Sequence, residues 1–180
     1  MRELSRPCAI IGGIAVGYRT ELRFTLDLDL AVAVTDDQEA ERLTHLLMNR
    51  GYTLFAQFEQ AAANRLATVR LTTPTSQGIV CDLLFASSGI ENEVVAGATV
   101  EELDEGLNAS IASVGHLIAL KLLSVSDRRA KDRADLNALR RVASEADRDV
   151  ARHAVELITQ RGYHREKDLL QDLETWWRTA

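Results

Sequence analysis

The sequence predicts an α+β protein: a mixed β-sheet with flanking helices, followed by a helical C-terminal region packed on it. Three observations carry that prediction. Residues Thr25-Leu-Asp-Leu-Asp-Leu-Ala-Val-Ala-Val34 alternate with period two, the pattern of a β-strand with two unlike faces. Ahead of them, Cys8-Ala-Ile-Ile-Gly12-Gly13 reads as a short apolar strand ending in a glycine pair, and Ile14-Ala-Val-Gly-Tyr18 can open a helix. From Ser113 onward, apolar residues recur at helical spacing through successive segments. Residues 1–110 are therefore expected to form an α/β core and 111–180 a helical region on it, within one compact unit.

In the alternating strand, Leu26, Leu28, Leu30, Val32 and Val34 make one aliphatic face that belongs against a core; Thr25, Asp27, Asp29, Ala31 and Ala33 make the other. Asp36 and Asp37 stand at the N-cap of the next element, with Glu39 and Glu41 in its first turn, where the helix dipole favours acids. We read them as capping groups. That helix should run to Arg50 and stop at Gly51, burying Leu43, Leu46 and Leu47. Residues 52–59 and 66–72 read as strands, 73–78 as a turn, and 79–85 as a strand whose apolar run is broken by Asp82. Between 88 and 110 the signal blurs. Glu91, Glu93, Glu101, Glu102, Asp104 and Glu105 make this stretch acidic, with strand-like pieces around Val94 and Ile111, so a solvated connection and an edge strand are expected.

Ser113 is a good N-cap for a helix over 114–125 with the stripe Val114, Leu117, Ile118, Leu122 and Val125. Helices over 145–160 and 166–178, separated by Gly162, follow a further one whose first turn falls within 126–136. Their stripes are Val150, Ala154, Leu157 and Ile158, then Leu169, Leu170, Leu173, Trp176 and Trp177. Core packing or a partner interface accounts for the tryptophans better than base stacking.

Composition sets outer bounds. The chain has 180 residues, 46% of them hydrophobic and 27% charged, which suits an ordinary globular domain. A formal net charge of −6 argues against a surface that coats nucleic acid. The charge is uneven: residues 1–120 hold 8 Lys+Arg and 16 Asp+Glu, whereas 121–180 hold 13 and 11. A polyanion would therefore be met mostly by the C-terminal third. Cys8 and Cys81 each sit in an apparent strand and read as buried free thiols in a reducing compartment. His45, His116, His153 and His164 match no zinc spacing. No signal peptide or membrane span is visible, and a cytoplasmic location is expected.

Asp27 and Asp29 share a strand face at a Cα separation of about 6.5–7 Å. Like charges so close repel and lose solvation; a divalent cation relieves both costs, and oxygen-only ligands suit Mg²⁺ or Mn²⁺. The alternative is an edge strand with a solvated face. A strand, Gly12-Gly13 and a helix start together offer backbone amides to a phosphate. Asp82 either sits hydrated at a strand end or joins Asp27 and Asp29 from a neighbouring strand. Lys121 falls inside an apolar stripe, where it snorkels to water or reaches an anion. Arg128, Arg129, Lys131 and Arg133 crowd cations into a helix start, against the helix dipole, which makes better sense facing phosphates. Asp132, four residues before Leu136, is on the inward face and could orient one of these cations.

Gly12-Gly13 followed by Arg23-x-Thr25-x-Asp27-x-Asp29-Leu30 resembles the signature of the nucleotidyltransferase superfamily that includes DNA polymerase β. With Leu-x-Ala-Leu-Lys121, Arg128, Lys131-Asp132 and Asp135-Leu136, the chain resembles most the AbiEii/AbiGii-type toxin branch, which often has Gly-Gly where other members have Gly-Ser. The resemblance implies the nucleotidyltransferase fold and an Mg²⁺- or Mn²⁺-dependent enzyme that uses an NTP and releases pyrophosphate. It implies Asp27, Asp29 and Asp82 as metal ligands, with Lys121 the triphosphate-binding lysine. Gly12, Gly13, Arg23, Thr25, Arg128, Lys131 and Asp132 complete the nucleotide site. The acceptor is expected to be a tRNA 3′ end or a protein hydroxyl, with an antitoxin as partner if the chain is a toxin. An aminoglycoside-like small-molecule acceptor, and an NTP-binding module without turnover, are the alternatives. The short chain and its acidity count against a tRNA-sized acceptor.

Overall fold

The computed structural model describes residues 7–21, 25–61, 63–75, 78–126 and 130–178. Seven strands form one mixed sheet in the order β3-β4-β5-β2-β1-β7-β6. In chain order the elements begin with β1 (Cys8–Ile11), α1 (Gly12–Arg19), β2 (Asp27–Val32), α2 (Asp37–Met48), β3 (Thr53–Gln60), β4 (Arg65–Thr72) and β5 (Val80–Leu84). They continue with α3 (Glu91–Ala96), β6 (Thr99–Asp104), β7 (Leu107–Ile111), α4 (Val114–Ser124), α5 (Ala130–Val142), α6 (Glu145–Gln160) and α7 (Leu169–Arg178).

The alternating strand is β2, and it lies at the centre of the sheet, antiparallel to β1 and parallel to β5. This excludes an edge-strand reading of Asp27-x-Asp29. Both faces of its second half are covered, since Leu30, Ala31 and Val32 are all buried, and α1 and α3 both pack on the strand. The expected aliphatic face therefore holds only from Leu30 on. Leu28 is half-buried and Leu26, ahead of the strand, is 71% exposed, because the core does not extend to that end.

Helix α2 starts where the acids predicted: Asp36 accepts from the Glu39 amide, and Glu39 itself turns back to the Thr35 amide and hydroxyl. Leu43 and Leu47 are buried, but Leu46 faces solvent. The blurred stretch resolves into a helix and a hairpin. Val94, expected in a strand, is a fully buried residue of α3, and Glu91 is a buried acceptor for the Ser87 and Ser88 amides. Strand β6 is the expected edge, and its exposed Glu102 and Asp104, at alternate positions, discourage pairing with another chain.

The Ser113 cap of α4 and the boundaries of α6 stand as expected. On α6, however, Ala151, Ala154, Val155 and Ile158 are buried while Val150 is not. Val150 lies at the rim of the crossing with α4, where the two helices approach so closely that a side chain at Gly115 would come within 2.7 Å of the Val150 Cβ. Helix α7 begins three residues later than expected, since Arg165 and Glu166 adopt left-handed backbone (φ 53° and 61°) that no helix can continue through. Leu170 is exposed; Trp176 and Trp177 pack edge to face at 5.5 Å, beneath Arg140 and Arg148 respectively. Among the described residues, no helix is long and apolar enough to cross a membrane. Cys8 and Cys81 are free thiols, and burial with neighbouring carboxylates pushes Cys81 up to about 12.

Candidate active site

Sheet register builds the site. Ile11 of β1 stands opposite Asp29 of β2, Asp29 opposite Asp82 of β5, and Asp82 opposite Arg70 of β4, one cross-sheet row over four strands. Asp27 lies two residues away along β2, exposed, beside Val80. The first residue past the row on β1 is Gly12, where α1 begins with no side-chain cap on its free amides. Gly12 has φ 62°, and a Cβ placed on it would fall 1.9 Å from Asp29 Oδ2. Only glycine lets that carboxylate lie against the helix start.

Asp29 is half-buried, and its carboxyl is raised to about 6. Burial is the main cause; Asp82 and Asp27 push it further, while Lys121 and Arg70 oppose. Asp82 is held by Arg70 in a two-bond fork, Nε to Oδ1 at 2.7 Å and Nη2 to Oδ2 at 2.6 Å. Lys121, on α4, sits between two acids of α5: its Nζ lies 2.8 Å from Asp132 Oδ1 and 2.7 Å from Asp135 Oδ2.

These groups line one cleft of about 340 Å³, walled by Gly12, Asp27, Asp29, Arg70, Asp82, Lys121 and Asp132, with Thr68, Ser87, Ser88, Ser124 and Arg165 beyond them. The sequence expectations thus converge for Gly12, Asp27, Asp29, Asp82, Lys121 and Asp132. Gly13 is buried inside α1, Thr25 is half-buried just ahead of β2, and Lys131 is exposed on α5; these three are not among the cleft walls. Arg23 and Arg128 lie outside the described residues.

Sequence reasoning missed Arg70, Asp135 and Arg165. For Arg70 a signal existed: a hairpin centred on the 73–78 turn pairs Thr72 with Val80 and therefore Arg70 with Asp82. Asp135 stood within a quoted motif without a role. Nothing in the sequence around Arg165 foretold its place.

Among the described residues, no three His, Cys, Asp or Glu side chains are drawn together closely enough to hold a metal ion, and Arg70 engages both Asp82 oxygens. The donor set nevertheless suits a hard cation. Its carboxylate oxygens sit on adjacent strands in register, and their mutual repulsion is expressed in the raised Asp29.

The architecture defines a class: this is the fold of the nucleotidyltransferase-like proteins. An antigenic nucleotidyltransferase-like protein from Paracoccidioides brasiliensis superposes with a TM-score of 0.52 at 18% identity, over 98% of this chain and 86% of that one. Weaker likenesses are to JHP933 from Helicobacter pylori (TM-score 0.38, 15% identity, 98% and 89% covered) and to the antibiotic-resistance factor ANT(2'')-Ia (0.42, 17%, 99% and 85%). No family model matches the chain, and no curated protein matches it.

Proposed function

We propose that this protein is a nucleotidyltransferase that moves a nucleoside monophosphate from an NTP to an acceptor hydroxyl. The observation that carries the reading is the in-register pair Asp29 and Asp82, with Asp27 beside it and Gly12 at the helix start against it, facing Lys121 across one cleft. Asp27, Asp29 and Asp82 would hold Mg²⁺ or Mn²⁺, which when bound supplies charge neutralisation at the transferring phosphate and acidifies the attacking hydroxyl. For this, Arg70 must leave Asp82.

The chain's own groups do the rest. The backbone amides at the open end of α1 receive phosphate oxygens, helped by the helix dipole. Lys121, fixed by Asp132 and Asp135, offers its charge to the triphosphate without losing side-chain order. The acceptor oxygen bonds to the α-phosphorus, the bond from that phosphorus to the β-phosphate oxygen breaks, and pyrophosphate leaves. The hydroxyl proton passes to Asp82. The toxin-type reading, with a tRNA 3′ end or a protein hydroxyl as acceptor, an antitoxin as partner and the cytoplasm as its place, rests on the motif resemblance to the AbiEii/AbiGii branch.

The test is incubation with each labelled NTP, Mg²⁺, and either total tRNA or aminoglycosides. Label on tRNA that vanishes with Asp27→Ala is the expected result. Label on the small molecule would move the acceptor class, and NTP binding with no transfer to any acceptor would overturn the enzyme reading.

A further inference from the structure

The cleft has two ends, set by strand direction. Because β1 runs antiparallel to β2, Gly12 lies toward the Asp27 end of the row. Because β5 runs parallel to β2, Ser87 lies past the opposite end, five residues beyond Asp82 and at most about 16 Å along the chain. Thr68 and Leu84, paired across β4 and β5, pave the floor between.

At that far end stands Arg165, exposed, its Nη2 donating to the Ser87 carbonyl at 3.2 Å. It is presented by an expensive piece of backbone. Arg165 and Glu166 are consecutive left-handed residues without a glycine, each costing about 1–2 kcal/mol over ordinary geometry. The turn is clamped on both sides. Tyr163 is buried against Gly89, where a Cβ would fall 2.5 Å from its ring, and Lys167 Nζ donates to the carbonyls of Leu122, Leu123 and Val125 at the end of α4. Strain held this firmly next to a cleft is a mark of function.

We propose that Arg165 is the acceptor-phosphate anchor: the acceptor is a phosphate-bearing strand, and one of its backbone phosphates docks on this guanidinium. The inference rests on the nucleotidyl-transfer reading and deepens it. In an in-line displacement the acceptor enters opposite the leaving pyrophosphate, so with the triphosphate at the α1 end the acceptor comes from the Ser87 end. A planar cation there fits a phosphodiester and repels a polycationic small molecule. The uneven charge agrees, since the cation-rich C-terminal third supplies this residue.

The test measures binding apart from turnover, using a labelled 3′-deoxy oligoribonucleotide read by fluorescence anisotropy and a fluorescent ATP analogue read separately. Arg165→Gln should weaken oligonucleotide binding about tenfold and reduce the slope of log K against log salt by about 0.7, the single-strand value for one contact, leaving the ATP analogue bound as before. Replacing the oligonucleotide's linkages with neutral methylphosphonates should erase the difference between the two proteins. Arg165→Gly should lose the same binding and still fold, because glycine takes left-handed backbone readily.

Equal oligonucleotide binding by both proteins would overturn the proposal. So would a parallel loss of the ATP analogue, which would make the phosphate the nucleotide's own. Arg165-dependent binding without any nucleotidyl transfer would sink the enzyme reading and leave the anchor standing. Transfer to tRNA at undiminished rate and affinity by Arg165→Gln would do the reverse.

Discussion

Gly12→Ala tests whether the β1–α1 corner exists to admit the Asp29 carboxylate. The new methyl would start 1.9 Å from Asp29 Oδ2 and 2.7 Å from its Cγ, so Asp29 must leave its rotamer by more than an ångström. An off-rotamer side chain costs about 0.5–1.5 kcal/mol. Holding alanine at the left-handed φ of 62° adds about 1–2 kcal/mol. Together they amount to about 1.5–3.5 kcal/mol, or a Tm lower by about 3–14 °C for a chain of this length. Circular dichroism melts of Gly12→Ala, Asp29→Ala and the double variant separate the two contributions. In the Asp29→Ala background the clash with Oδ2 and Cγ is gone and only the 2.9 Å approach to the residue-29 Cβ is left, so the glycine substitution should cost less than in the parent, though more than its backbone share. An identical cost in both backgrounds would refute the contact, and a Tm unchanged by Gly12→Ala would refute the corner altogether.

Three further perturbations concern the same cleft. Asp29 is raised from 3.8 to about 6 in the folded chain, so the fold binds its proton more tightly than the unfolded chain does. Its contribution to stability is present below pH 3.8 and is lost as pH climbs to about 6, a change of up to about 3 kcal/mol. Chemical denaturation between pH 4 and 7 should show Asp29→Asn gaining on the parent as pH rises, and parallel profiles would count against it. Arg70→Gln removes the cation that competes for both Asp82 oxygens, and calorimetric titration should find Mn²⁺ bound at least about tenfold more tightly, as the loss of a two-bond charged fork implies; weaker binding would mean that Arg70 holds Asp82 in the receptive position. Lys121→Met leaves Asp132 and Asp135 without their shared cation in a buried place and should cost about 3–5 kcal/mol in urea melts, with partial recovery on adding Asp135→Asn; a loss under 1 kcal/mol would mean water reaches the acids.

What could be read in advance divides along one physical line. Features written in local order were legible: the period of β2, the Asp36 and Ser113 caps, and the span of α6 all depend on residues within a turn or two of one another. Asp82 was legible as a neighbour of Asp29 because a lone acid in an apolar strand needs a reason, and it stands beside Asp29 in register, paired with Arg70. The stretch from Ser88 to Ser110 failed because its acids serve unlike purposes: Glu91 is a buried acceptor, Glu101 pairs with Arg19, and Glu102 and Asp104 guard an edge, and composition cannot tell these apart. The loop after α6 failed for a different reason. Left-handed backbone is announced in sequence by glycine or asparagine, and at Arg165 and Glu166 neither is present. A turn that carries its signal in glycine lowers its own cost; one that forgoes glycine keeps a side chain instead. The β1–α1 corner took the first course, since any side chain on Gly12 would collide with the carboxylate it serves. The turn at Arg165 took the second, and the residue that resists its backbone is the one that reaches the cleft.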